Sequence, residues 1–434
     1  MCARLRLAHR KILKDDAPFL LDVTRLIWRR WRGRLPTGID RVCLAYLRHF
    51  GPRAQAVVQH KRFRRTLERR ASHELFTLLE SPGDNFKLRL LAGALKNLAP
   101  FQGRGRRRLY LNVGHTGLDS PGFRQWMTAA DVRPVYLVHD LIPITHPQFC
   151  RAKEAVRHRE RMRAVLTTAC GVIVNSEATR ADLTRFAGEE GLPLPPTLAA
   201  PLGVDALPDA PPARPPERPT FVTLGTIEAR KNHMLLLNIW SRLVERLGDG
   251  APRLLIIGQR GWEADQVFDL LDKSDKLRGH VVELAGCSDE ELVQHFASAR
   301  ALLFPSFAEG YGLPLAEALG MGVPAIASNL SVFREIGGEI PLYLSPSDEE
   351  AWEEAILDYA RADRVSREAQ LLRMQGFRAP DWPGHFDAVE RWLEKLDQPT
   401  RRASIESMSV ETADSLASPP RTRQRSTSTR RKAP

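Results

Sequence analysis

The chain has 434 residues, 43% of them hydrophobic, and a formal net charge of +12. Its length predicts two or three domains of roughly 100–200 residues each, and the ordinary globular composition allows a sizeable core. No run of about 18 uncharged apolar residues occurs, so no membrane-spanning helix is predicted. The strong basic balance implies an anionic partner, such as nucleic acid, an anionic membrane or a phosphorylated ligand.

The N-terminal segment and the cysteines predict a cytoplasmic protein. Residues 1–16 are basic but lack an apolar stretch long enough for a signal peptide. The cysteines are odd in number, scattered and without C-x-x-C spacing, so they predict neither a disulfide framework nor a structural zinc site. They are Cys2, Cys43, Cys150, Cys170 and Cys287.

Three basic clusters lie in the N-terminal half: RLIWRRWRGR (25–34), KRFRRTLERR (61–70) and RGRRR (104–108). The first is interleaved with Trp28 and Trp31, and arginine mixed with tryptophan suits an interfacial surface on anionic lipid. One expectation is therefore peripheral contact with the inner face of the cytoplasmic membrane. A solvated basic face would show the same pattern, and the sequence leaves both open.

Short apolar runs alternate with helix-like segments along both halves of the chain. Near-continuous apolar strands that alternate with helices predict an α/β fold with parallel sheets covered on both faces. The expected strands are FLLDV (19–23), RLYLNV (108–113), PVYLVHD (134–140), GVIVNS (171–176), FVTLGT (221–226), RLLIIG (253–258), VVELAG (281–286), ALLFPS (301–306) and VPAIAS (323–328). Helix starts are predicted at Ser176 and at Ser288, which has Glu291 three residues later.

A proline-rich stretch separates the two halves. Residues 208–219 include DAPPARPPERP, which can continue neither a helix nor a central strand, and are interpreted as a linker. The expected organisation is an N-terminal domain over 18–207 and a C-terminal domain over 220–398. Residues 399–434 are rich in Ser, Thr, Arg and Pro, and we expect them to form a disordered tail.

The segment LLFPSFAEGYGLPLAEALGMGVPAIAS is the most informative in the chain, because it sets Glu309 and Glu317 on either side of seven residues. Pro314 suits the start of a helix, so we expect Glu309 on the preceding loop and Glu317 in the helix's first turn. A helix N-terminus attracts phosphate, and ionised carboxylates accept hydrogen bonds from hydroxyls. A ligand with both phosphate and many hydroxyls is a nucleotide sugar.

Other polar residues and glycines follow the expected strands of both halves. They are His139 and Asp140, Gly225, Arg230 with Lys231, and Gly258. Because ligands of open α/β sheets bind beyond the carboxyl ends of strands, these positions predict an active site in a cleft between two domains. The Arg-Lys pair suits a diphosphate leaving group, and the lack of an Asp-x-Asp arrangement predicts that no metal is required.

Each of these residues also has a plain structural interpretation. His139 could be a satisfied structural histidine, the Arg-Lys pair a surface charge, and Glu317 a partner of a helix dipole. The segment GRLPTGIDR (33–41) could be a simple turn before a helix, although the N–H groups that follow Gly38 could cradle a phosphate.

Taken together, the motifs resemble the retaining glycosyltransferases of family 4, which have the GT-B fold of two Rossmann-like domains facing each other across a cleft. The resemblance runs from about Leu20 to Leu396, and its strongest signature is the Glu-x7-Glu spacing of EGYGLPLAE. Further family-like phrases are VHDLIPITHP, IVNSEATRADL, APLGVD and GTIEARKNH. The phrases LPTGIDRV and LNVGHTGLD look like a branch that acts in bacterial exopolysaccharide, capsule or lipopolysaccharide assembly.

The resemblance implies catalytic roles at four positions and a ribose contact at a fifth. Glu309 would hold hydroxyls of the donor sugar, and Glu317 would bind the ribose. Arg230 and Lys231 would neutralise the diphosphate. His139 would contact the sugar near the anomeric centre.

Further positions follow from the same resemblance. Gly38 would belong to a phosphate loop, in which Thr37 stands where the family more often has a second glycine. The other donor-side positions are Gly225, Gly258, Gly310, Tyr311, Gly312 and Leu313. The acceptor-side positions are Asn112, His115 and Asp140, in an N-terminal domain that would bind the acceptor.

The expected function is retaining transfer of a hexosyl residue from a nucleotide-diphosphate sugar, without cofactor or metal, to a glycan or lipid-linked glycan acceptor. GDP-mannose is a first guess for the donor, and a polyprenyl-diphosphate-linked or lipid A-linked acceptor would suit the charge. A nucleotide-sugar epimerase of the same fold, and an inactive member that only binds the nucleotide sugar, are alternatives. A basic nucleic-acid-binding protein is another, although no recognised nucleic-acid-binding motif is present.

Overall fold

The computed structural model describes residues 17–33, 36–60, 63–81, 83–96, 107–205, 218–361 and 365–397. The expected tail and nearly all of the expected linker lie outside these residues, as does most of the basic cluster at 104–108.

The first sheet takes its strands from residues before the proline-rich stretch. The strands are β1 (Phe19–Asp22), β2 (Ala54–His60), β3 (Phe63–Thr66), β4 (Arg108–Asn112), β5 (Val132–Val138), β6 (Gly171–Val174) and β7 (Thr197–Ala199). Their order across the sheet is β3-β2-β1-β4-β5-β6-β7. Only the edge strand β3 is antiparallel to its neighbour. The strand order reverses between β1 and β4, which makes this the switch point where ligands bind in such sheets.

Helices of this half connect the strands and cover the sheet. They are α1 (Thr24–Trp31), α2 (Gly38–Phe50), α3 (Arg69–Glu80), α4 (Phe86–Lys96), α5 (Phe123–Ala130), α6 (Ile142–Thr145), α7 (Glu154–Thr168) and α8 (Glu177–Glu189).

The second sheet is also an open α/β sheet, and all of its described strands are parallel. Its strands are β8 (Thr220–Leu224), β9 (Arg253–Ile257), β10 (Val281–Leu284), β11 (Ala301–Phe304), β12 (Ala325–Ser328) and β13 (Leu342–Leu344). The order is β10-β9-β8-β11-β12-β13, so the switch point lies between β8 and β11.

Helices also flank this second sheet. They are α9 (His233–Leu247), α10 (Asp265–Lys273), α11 (Asp289–Ser298), α12 (Leu313–Gly320), α13 (Ser331–Gly337), α14 (Glu349–Ala360), α15 (Val365–Met374) and α16 (Trp382–Asp397). None of the helices in the described ranges combines the length and the apolar composition needed to cross a bilayer.

Alternate side chains of the central strand β11 enter two separate cores. Ala301 and Leu303 pack with Trp240 and Trp352 on one face of the sheet, whereas Leu302 and Phe304 pack with a second apolar cluster on the other. A strand buried on both faces reads as a continuous apolar run, which is why the sequence reveals it so clearly. The two-sheet α/β architecture predicted from such runs is confirmed.

The strands that the sequence did not reveal are polar, short or interrupted by polar residues. β3 (Phe63–Thr66) is polar, and β7 (Thr197–Ala199) and β13 (Leu342–Leu344) have three residues each. β2 (Ala54–His60) carries a glutamine at its second and sixth positions, which interrupts the apolar run.

Side-chain capping at helix starts follows the sequence. At α11 the Glu291 N–H donates to Ser288 Oγ at 3.2 Å, and the Ser288 N–H donates to the Glu291 carboxylate at 2.8 Å. At α8 the Thr179 N–H donates to Ser176 Oγ at 3.0 Å. Both predicted caps are therefore confirmed.

The start of the last helix, α16, contacts the N-terminal half. Tyr46 lies with its hydroxyl 2.9 Å from His385 Nε2, and the Trp382 indole donates to Asp205 at 3.0 Å. The described residues up to Glu390 belong to one compact unit that includes both sheets, and those from Arg391 onward belong to a second. The domain boundaries expected from the sequence stay predictions.

Gly258 follows β9 at a point where the backbone of the neighbouring strand passes very close. A Cβ added here would lie 1.9 Å from the Gly225 carbonyl oxygen, a backbone atom that cannot move aside cheaply. We predict that Gly258→Ala lowers the free energy of unfolding by about 1–3 kcal/mol or more, as overpacking does. The comparison of thermal midpoints with wild type measures this loss.

Gly188→Ala is the matched control. Gly188 lies in α8, and nothing lies within 4 Å of the position of its added Cβ. Its substitution should be neutral or stabilising by about 0.5–1 kcal/mol, because alanine favours helix. Equal midpoints for wild type and Gly258→Ala would contradict the proposed backbone contact.

Candidate functional site

The Glu309 carboxylate is bound by two cations and a hydroxyl. Arg230 Nη1 donates to Glu309 Oε2 at 2.7 Å, and Lys231 Nζ lies 2.5 Å from Oε1. Ser306 Oγ also donates to Oε1, at 2.8 Å. The second guanidinium nitrogen of Arg230 lies 2.6 Å from the buried carboxylate of Glu228. All of these residues follow β8 or β11, at the switch point of the second sheet.

Burial and charge act against each other in this cluster. Burial raises the pKa of the Glu309 carboxyl, but Arg230 and Lys231 lower it more, so that it falls to about 2. Burial lowers the pKa of Lys231 although Glu309 opposes the change. Burial raises the pKa of Glu228. Glu309 is therefore an anion at neutral pH, and its charge holds the two cations in place.

Glycine at position 225 gives the lysine room. Gly225 has a φ of 138°, and a Cβ added there would lie 3.3 Å from both Cε and Nζ of Lys231. The ammonium group also lies 4.7 Å from the centroid of the Phe304 ring. Lys231 is thus confined to the region between the ends of β8 and β11.

Gly310 is the point where the two halves meet beside the glutamate. A Cβ added at Gly310 would lie 2.6 Å from the His139 carbonyl oxygen and 2.9 Å from Asp140 Cβ. The Thr179 hydroxyl donates to the Gly310 carbonyl oxygen at 3.3 Å. The structure therefore brings His139 and Asp140 to the edge of the loop that carries Glu309, as the sequence predicted for a cleft.

His139 is buried, and one nitrogen of its ring is hydrogen-bonded to the backbone. Its Nε2 lies 2.7 Å from the Val113 carbonyl oxygen, so Nε2 carries the proton and Nδ1 is left as an acceptor. Burial lowers its pKa to about 4, so the imidazole is neutral at physiological pH. Asn175 donates to the His139 carbonyl oxygen at 2.9 Å and holds the backbone.

Glu317 pairs with a residue of the other half. Arg41, on α2, places Nη1 2.6 Å from Glu317 Oε1, and the glutamate side chain is only 1% exposed. Its Oε2 has no hydrogen-bond partner among the described residues. Burial raises the pKa of Glu317, whereas Arg41 lowers it. Arg41 also donates to Asp205 at 3.0 Å.

The expectation that Glu317 lies in the first turn of its helix is wrong. Helix α12 begins at Leu313, with Pro314 next, so Glu317 is the fifth helical residue. At that depth its carboxylate cannot cap the helix start and instead faces the guanidinium of Arg41. The interpretation of Glu317 as a helix-dipole partner loses its basis.

The predicted phosphate loop lies beside the start of α12. Gly38 begins α2, and a Cβ added there would lie 3.7 Å from Leu313 Cδ1. The start of α2 is closed by a capping box, in which Asp40 accepts from the backbone and the hydroxyl of Thr37 at 2.8 and 2.7 Å. The threonine that departs from the family pattern is thus used to cap the helix.

Tyr311 and Gly312 shape the loop rather than face the cations. The Tyr311 hydroxyl donates to the Leu202 carbonyl oxygen at 3.0 Å, which ties the loop to the N-terminal half. Gly312 has a φ of 122°, and an added Cβ would lie 2.8 Å from the Phe333 ring. Neither fact tests their expected role in donor binding, which stays a prediction.

The residues expected on the acceptor side differ in burial and in hydrogen bonding. Asn112 is fully buried, and its amide donates to the Thr116 carbonyl oxygen at 2.8 Å, so it holds the loop that follows β4. His115 lies on that loop with a φ of 54°, and its ring centroid is 5.2 Å from that of His139. Asn112 can therefore act on a ligand only through the loop.

Aromatic contacts join the halves next to this site. The rings of Phe149 and Phe307 stack at 5.0 Å between centroids, and the Arg151 guanidinium lies 5.3 Å from the centroid of the Trp262 ring. Within the described ranges, no group of three or more His, Cys, Asp or Glu side chains is arranged to hold a metal ion.

Sequence reasoning missed three residues that shape the site. Arg41 was inside a quoted phrase but had no assigned role, and its position one turn after Gly38 is the signal that could have found it. Ser306 and Glu228 each contact the charged cluster. Ser306 lies three residues before Glu309, and Glu228 lies two residues before Arg230. Side chains at such short separations in a loop commonly contact each other.

The pKa of Glu309 predicts a pH-dependent stability. Its folded-state pKa of about 2 is below the ordinary 4.5, so the stabilisation is fully present above pH 4.5 and is lost as the pH falls through about 2. At neutral pH this corresponds to about 3 kcal/mol. We expect Glu309→Gln to lower the thermal midpoint at pH 7, and the difference from wild type to narrow below pH 4.5.

Glu74→Gln is the control, because Glu74 forms an exposed pair with Arg70 at 3.1 Å. Such surface pairs contribute only about 0–1 kcal/mol. A gap between wild type and Glu309→Gln that stayed constant from pH 7 to pH 3 would show that the carboxylate charge is not what stabilises the cluster.

Comparison with known proteins finds a family match in the second half of the chain. Residues 218–361 match the family described as "Glycosyl transferases group 1". The O-antigen chain mannosyltransferase B of Escherichia coli is 30% identical over 240 residues, which cover 53% of this chain and 62% of that protein. The serotype-specific mannosyltransferase WbdA of Escherichia coli is 30% identical over 250 residues, 51% of this chain and 29% of that protein. The chain therefore spans less than two thirds of the length of these relatives.

A solved structure shows the same fold. The Anabaena protein HepE, in complex with UDP and glucose, superposes with a TM-score of 0.60 over 88% of this chain and 100% of its own, at 14% identity. The GT-B architecture predicted from the sequence is thereby confirmed. Residues 218–361 of this chain match the group 1 glycosyl transferases, and the chain has the two-sheet GT-B fold.

Proposed function

We propose that the chain transfers a mannosyl residue, with retention of configuration, from a nucleotide-diphosphate sugar to a glycan acceptor of a bacterial surface polysaccharide. The single observation that carries this proposal is the cation pair Arg230–Lys231, held by Glu309 at the switch point of the second sheet and bordered by His139 at Gly310. The choice of mannose as the transferred sugar, and of a surface polysaccharide as the product, follows the names of the relatives.

The cation pair suits the charge that develops on a leaving diphosphate. Two cations fixed in a largely buried site stabilise growing negative charge without having to reorient, and such stabilisation is often the largest contribution to catalysis. Lys231 is 9% exposed and Arg230 22% exposed, so both still reach a ligand at the mouth of the cluster. A donor phosphate would share these cations with Glu309.

Glu309 and Glu317 would bind hydroxyls of the donor. An ionised carboxylate only accepts hydrogen bonds, which matches a sugar or ribose hydroxyl. Glu317 Oε2 is buried and lacks a hydrogen-bond partner among the described residues. In this proposal it accepts from a ribose hydroxyl, while Arg41 holds the other oxygen.

The reaction exchanges one bond at the anomeric carbon. The bond from that carbon to the diphosphate oxygen breaks, the acceptor oxygen forms the new bond on the same face, and the acceptor proton passes to the leaving phosphate oxygen. The neutral His139, with Nδ1 as an acceptor, would position a donor hydroxyl and not remove the proton. The protein contributes positioning and charge stabilisation.

The finer parts of the proposal concern the acceptor, the metal and the location. The N-terminal half would bind the acceptor, with His115 and Asp140 near the transferred sugar. No metal would be needed, because the cation pair takes its place. The reaction would take place in the cytoplasm, with the basic N-terminal half against the anionic inner face of the membrane and without nucleic acid as a partner.

A nucleotide-release assay tests this function. The purified chain is incubated with GDP-, UDP-, dTDP- and ADP-sugars in the presence of a chelator. Water takes the place of the acceptor in this assay, so the products are mannose and GDP. We expect release of GDP from GDP-mannose that survives the chelator and falls by roughly 100-fold or more in Lys231→Gln, as when one transition-state donor is removed. Lys273→Gln, at a position 74% exposed and paired with Asp269 on a helix surface, is the control and should keep full activity.

Other outcomes decide between the alternatives. Conversion of a nucleotide sugar into its epimer without an acceptor would favour the epimerase. Activity that chelator abolishes and Mg²⁺ restores would overturn metal independence. Failure of every nucleotide to raise the thermal midpoint, together with salt-dependent retention on DNA, would replace the transferase with a nucleic-acid-binding protein.

A further inference from the structure

A second pocket lies on the N-terminal sheet, away from the cation pair. It has a volume of about 420 Å³ and is lined by side chains of α1 and α7 and by the loop that follows β4. Helix α1 follows β1, so the pocket lies at the carboxyl ends of β1 and β4. This is the switch point of the first sheet, where open α/β sheets bind ligands.

Arginines dominate the lining of this pocket. The charged residues in it are Arg25, Arg29, Arg32, Arg157, Arg161 and the single carboxylate Asp119. Two more carboxylates approach from behind: Asp40 pairs with Arg25 at 2.7 Å and with Arg29 at 2.9 Å, and Glu154 pairs with Arg161 at 3.1 Å. Even with these, cations outnumber anions by five to three, so the pocket favours an anionic ligand.

The carboxylates orient the arginines without using up their donors. Arg25 donates to Asp40 through Nε, and Arg157 donates to Asp119 through Nε at 2.6 Å. A guanidinium has five N–H donors, four of them on the two terminal nitrogens. Both contacts to carboxylates use Nε, so the terminal nitrogens of Arg25 and Arg157 face a bound ligand in this proposal and can bind it bidentately, as phosphate recognition requires.

Two buried polar atoms on the β4 loop lack partners. His115 Nε2 and Thr116 Oγ1 have no hydrogen-bond partner among the described residues, and both residues line the pocket. His115 holds the left-handed backbone conformation, with a φ of 54°, which is uncommon for a residue other than glycine. An unpaired polar group in a buried position is costly, so a ligand that supplies hydrogen bonds would be stabilised here.

The pocket adjoins the proposed site of transfer. The His115 ring is 5.2 Å from the His139 ring between centroids, and the His139 carbonyl oxygen borders Gly310. One histidine therefore separates the arginine-lined pocket from the glutamate loop. No lining residue of the pocket belongs to the donor cluster.

We propose that this pocket binds a phosphate or diphosphate group carried by the acceptor, and so selects a phosphorylated acceptor for transfer. This inference rests on the proposed transferase function. Arginine forks match the planar, bidentate geometry of phosphate oxygens. The volume is within the range of small-molecule sites and holds a diphosphate with part of its glycan.

The arginines of the first basic cluster gain a specific role from this placement. Arg25 and Arg29 were expected to face a lipid surface, but they are 28% and 20% exposed and line a concave pocket. Trp28 also lines it and packs against His60 at 5.1 Å between ring centroids. A phosphorylated group within the pocket accounts for these contacts better than a flat membrane surface.

Calorimetric titration of the full chain with inorganic diphosphate and inorganic phosphate tests the proposal. The test variant is Arg32→Gln with Arg157→Gln, because both side chains are exposed and line the pocket without burial in the core. We expect its affinity for diphosphate to fall by about tenfold or more, since a hydrogen bond to a charged group contributes roughly that factor.

Two controls separate the pocket from general charge and from the donor site. Arg70→Gln with Arg278→Gln removes the same net charge at positions 91% and 75% exposed, outside the pocket, and should bind diphosphate as wild type does. Arg230→Gln should remove binding at the donor cluster and keep binding in the pocket. Diphosphate binding that is unchanged in the pocket variant, or lost equally in the charge control, would overturn the proposal.

Titration with two further probes distinguishes a lipid-linked from a soluble phosphorylated acceptor. Farnesyl diphosphate represents a lipid-linked acceptor, and mannose 1-phosphate represents a soluble one. Tighter binding of the first indicates a lipid-linked diphosphate, and tighter binding of the second a soluble sugar phosphate. In either case the pocket variant must bind the preferred probe more weakly than wild type does. An unchanged affinity of the variant for both probes contradicts the inference.

The same titrations keep this inference distinct from the proposed function. If GDP and UDP bind neither wild type nor the variants while diphosphate binding depends on Arg32 and Arg157, the transferase proposal fails and the anion pocket stands. If a nucleotide binds in an Arg230-dependent way but no phosphate probe responds to the pocket variant, the transferase stands and the acceptor subsite fails.

Discussion

The anion of Glu309 is the interaction on which the site depends. Arg230 and Lys231 carry like charges in a largely buried position, and without a carboxylate between them each would repel the other and destabilise the fold. Glu309 resolves this by binding both, at 2.7 and 2.5 Å, and Ser306 completes its hydrogen bonding. The cations are thus fixed in the position that the proposed diphosphate ligand requires.

The same principle joins the two halves of the chain. Buried or partly buried charges are paired across the cleft, as Arg41 and Glu317 show, and glycine allows the backbones to approach, as Gly310 does against His139. In the proposed function, the contacts that define the site are also the ones that a donor or acceptor would replace.

In the two proposals, the two switch points form two anion-binding regions with different designs. The donor cluster balances its cations with buried carboxylates, whereas the pocket of Arg25 and Arg157 keeps an excess of positive charge. One region is suited to a ligand whose charge grows during the reaction. The other is suited to a charge that stays constant, such as a phosphate carried by the acceptor.

Much of the fold could be predicted from the sequence because doubly covered parallel strands are continuous apolar runs, as in β11. The edge strands β3 and β13 are short or polar and leave no such signal. Candidate-site residues that directly follow strands, such as Glu309, could be placed from the sequence, although their roles in binding stay predictions. Arg41 and the arginines of the second pocket were not, because their roles depend on which elements meet in space, and sequence spacing does not show that.

The most direct test of this account is the affinity of the chain for a nucleoside diphosphate relative to its monophosphate, measured by calorimetry for wild type and for Arg230→Gln with Lys231→Gln. If the cation pair binds the diphosphate, wild type prefers the diphosphate by about tenfold or more, because the added phosphate gains at least one charge-assisted hydrogen bond. The double variant loses that preference and keeps its affinity for the monophosphate. Equal binding of both nucleotides by wild type, or a preference that survives in the variant, would contradict the central role of the pair.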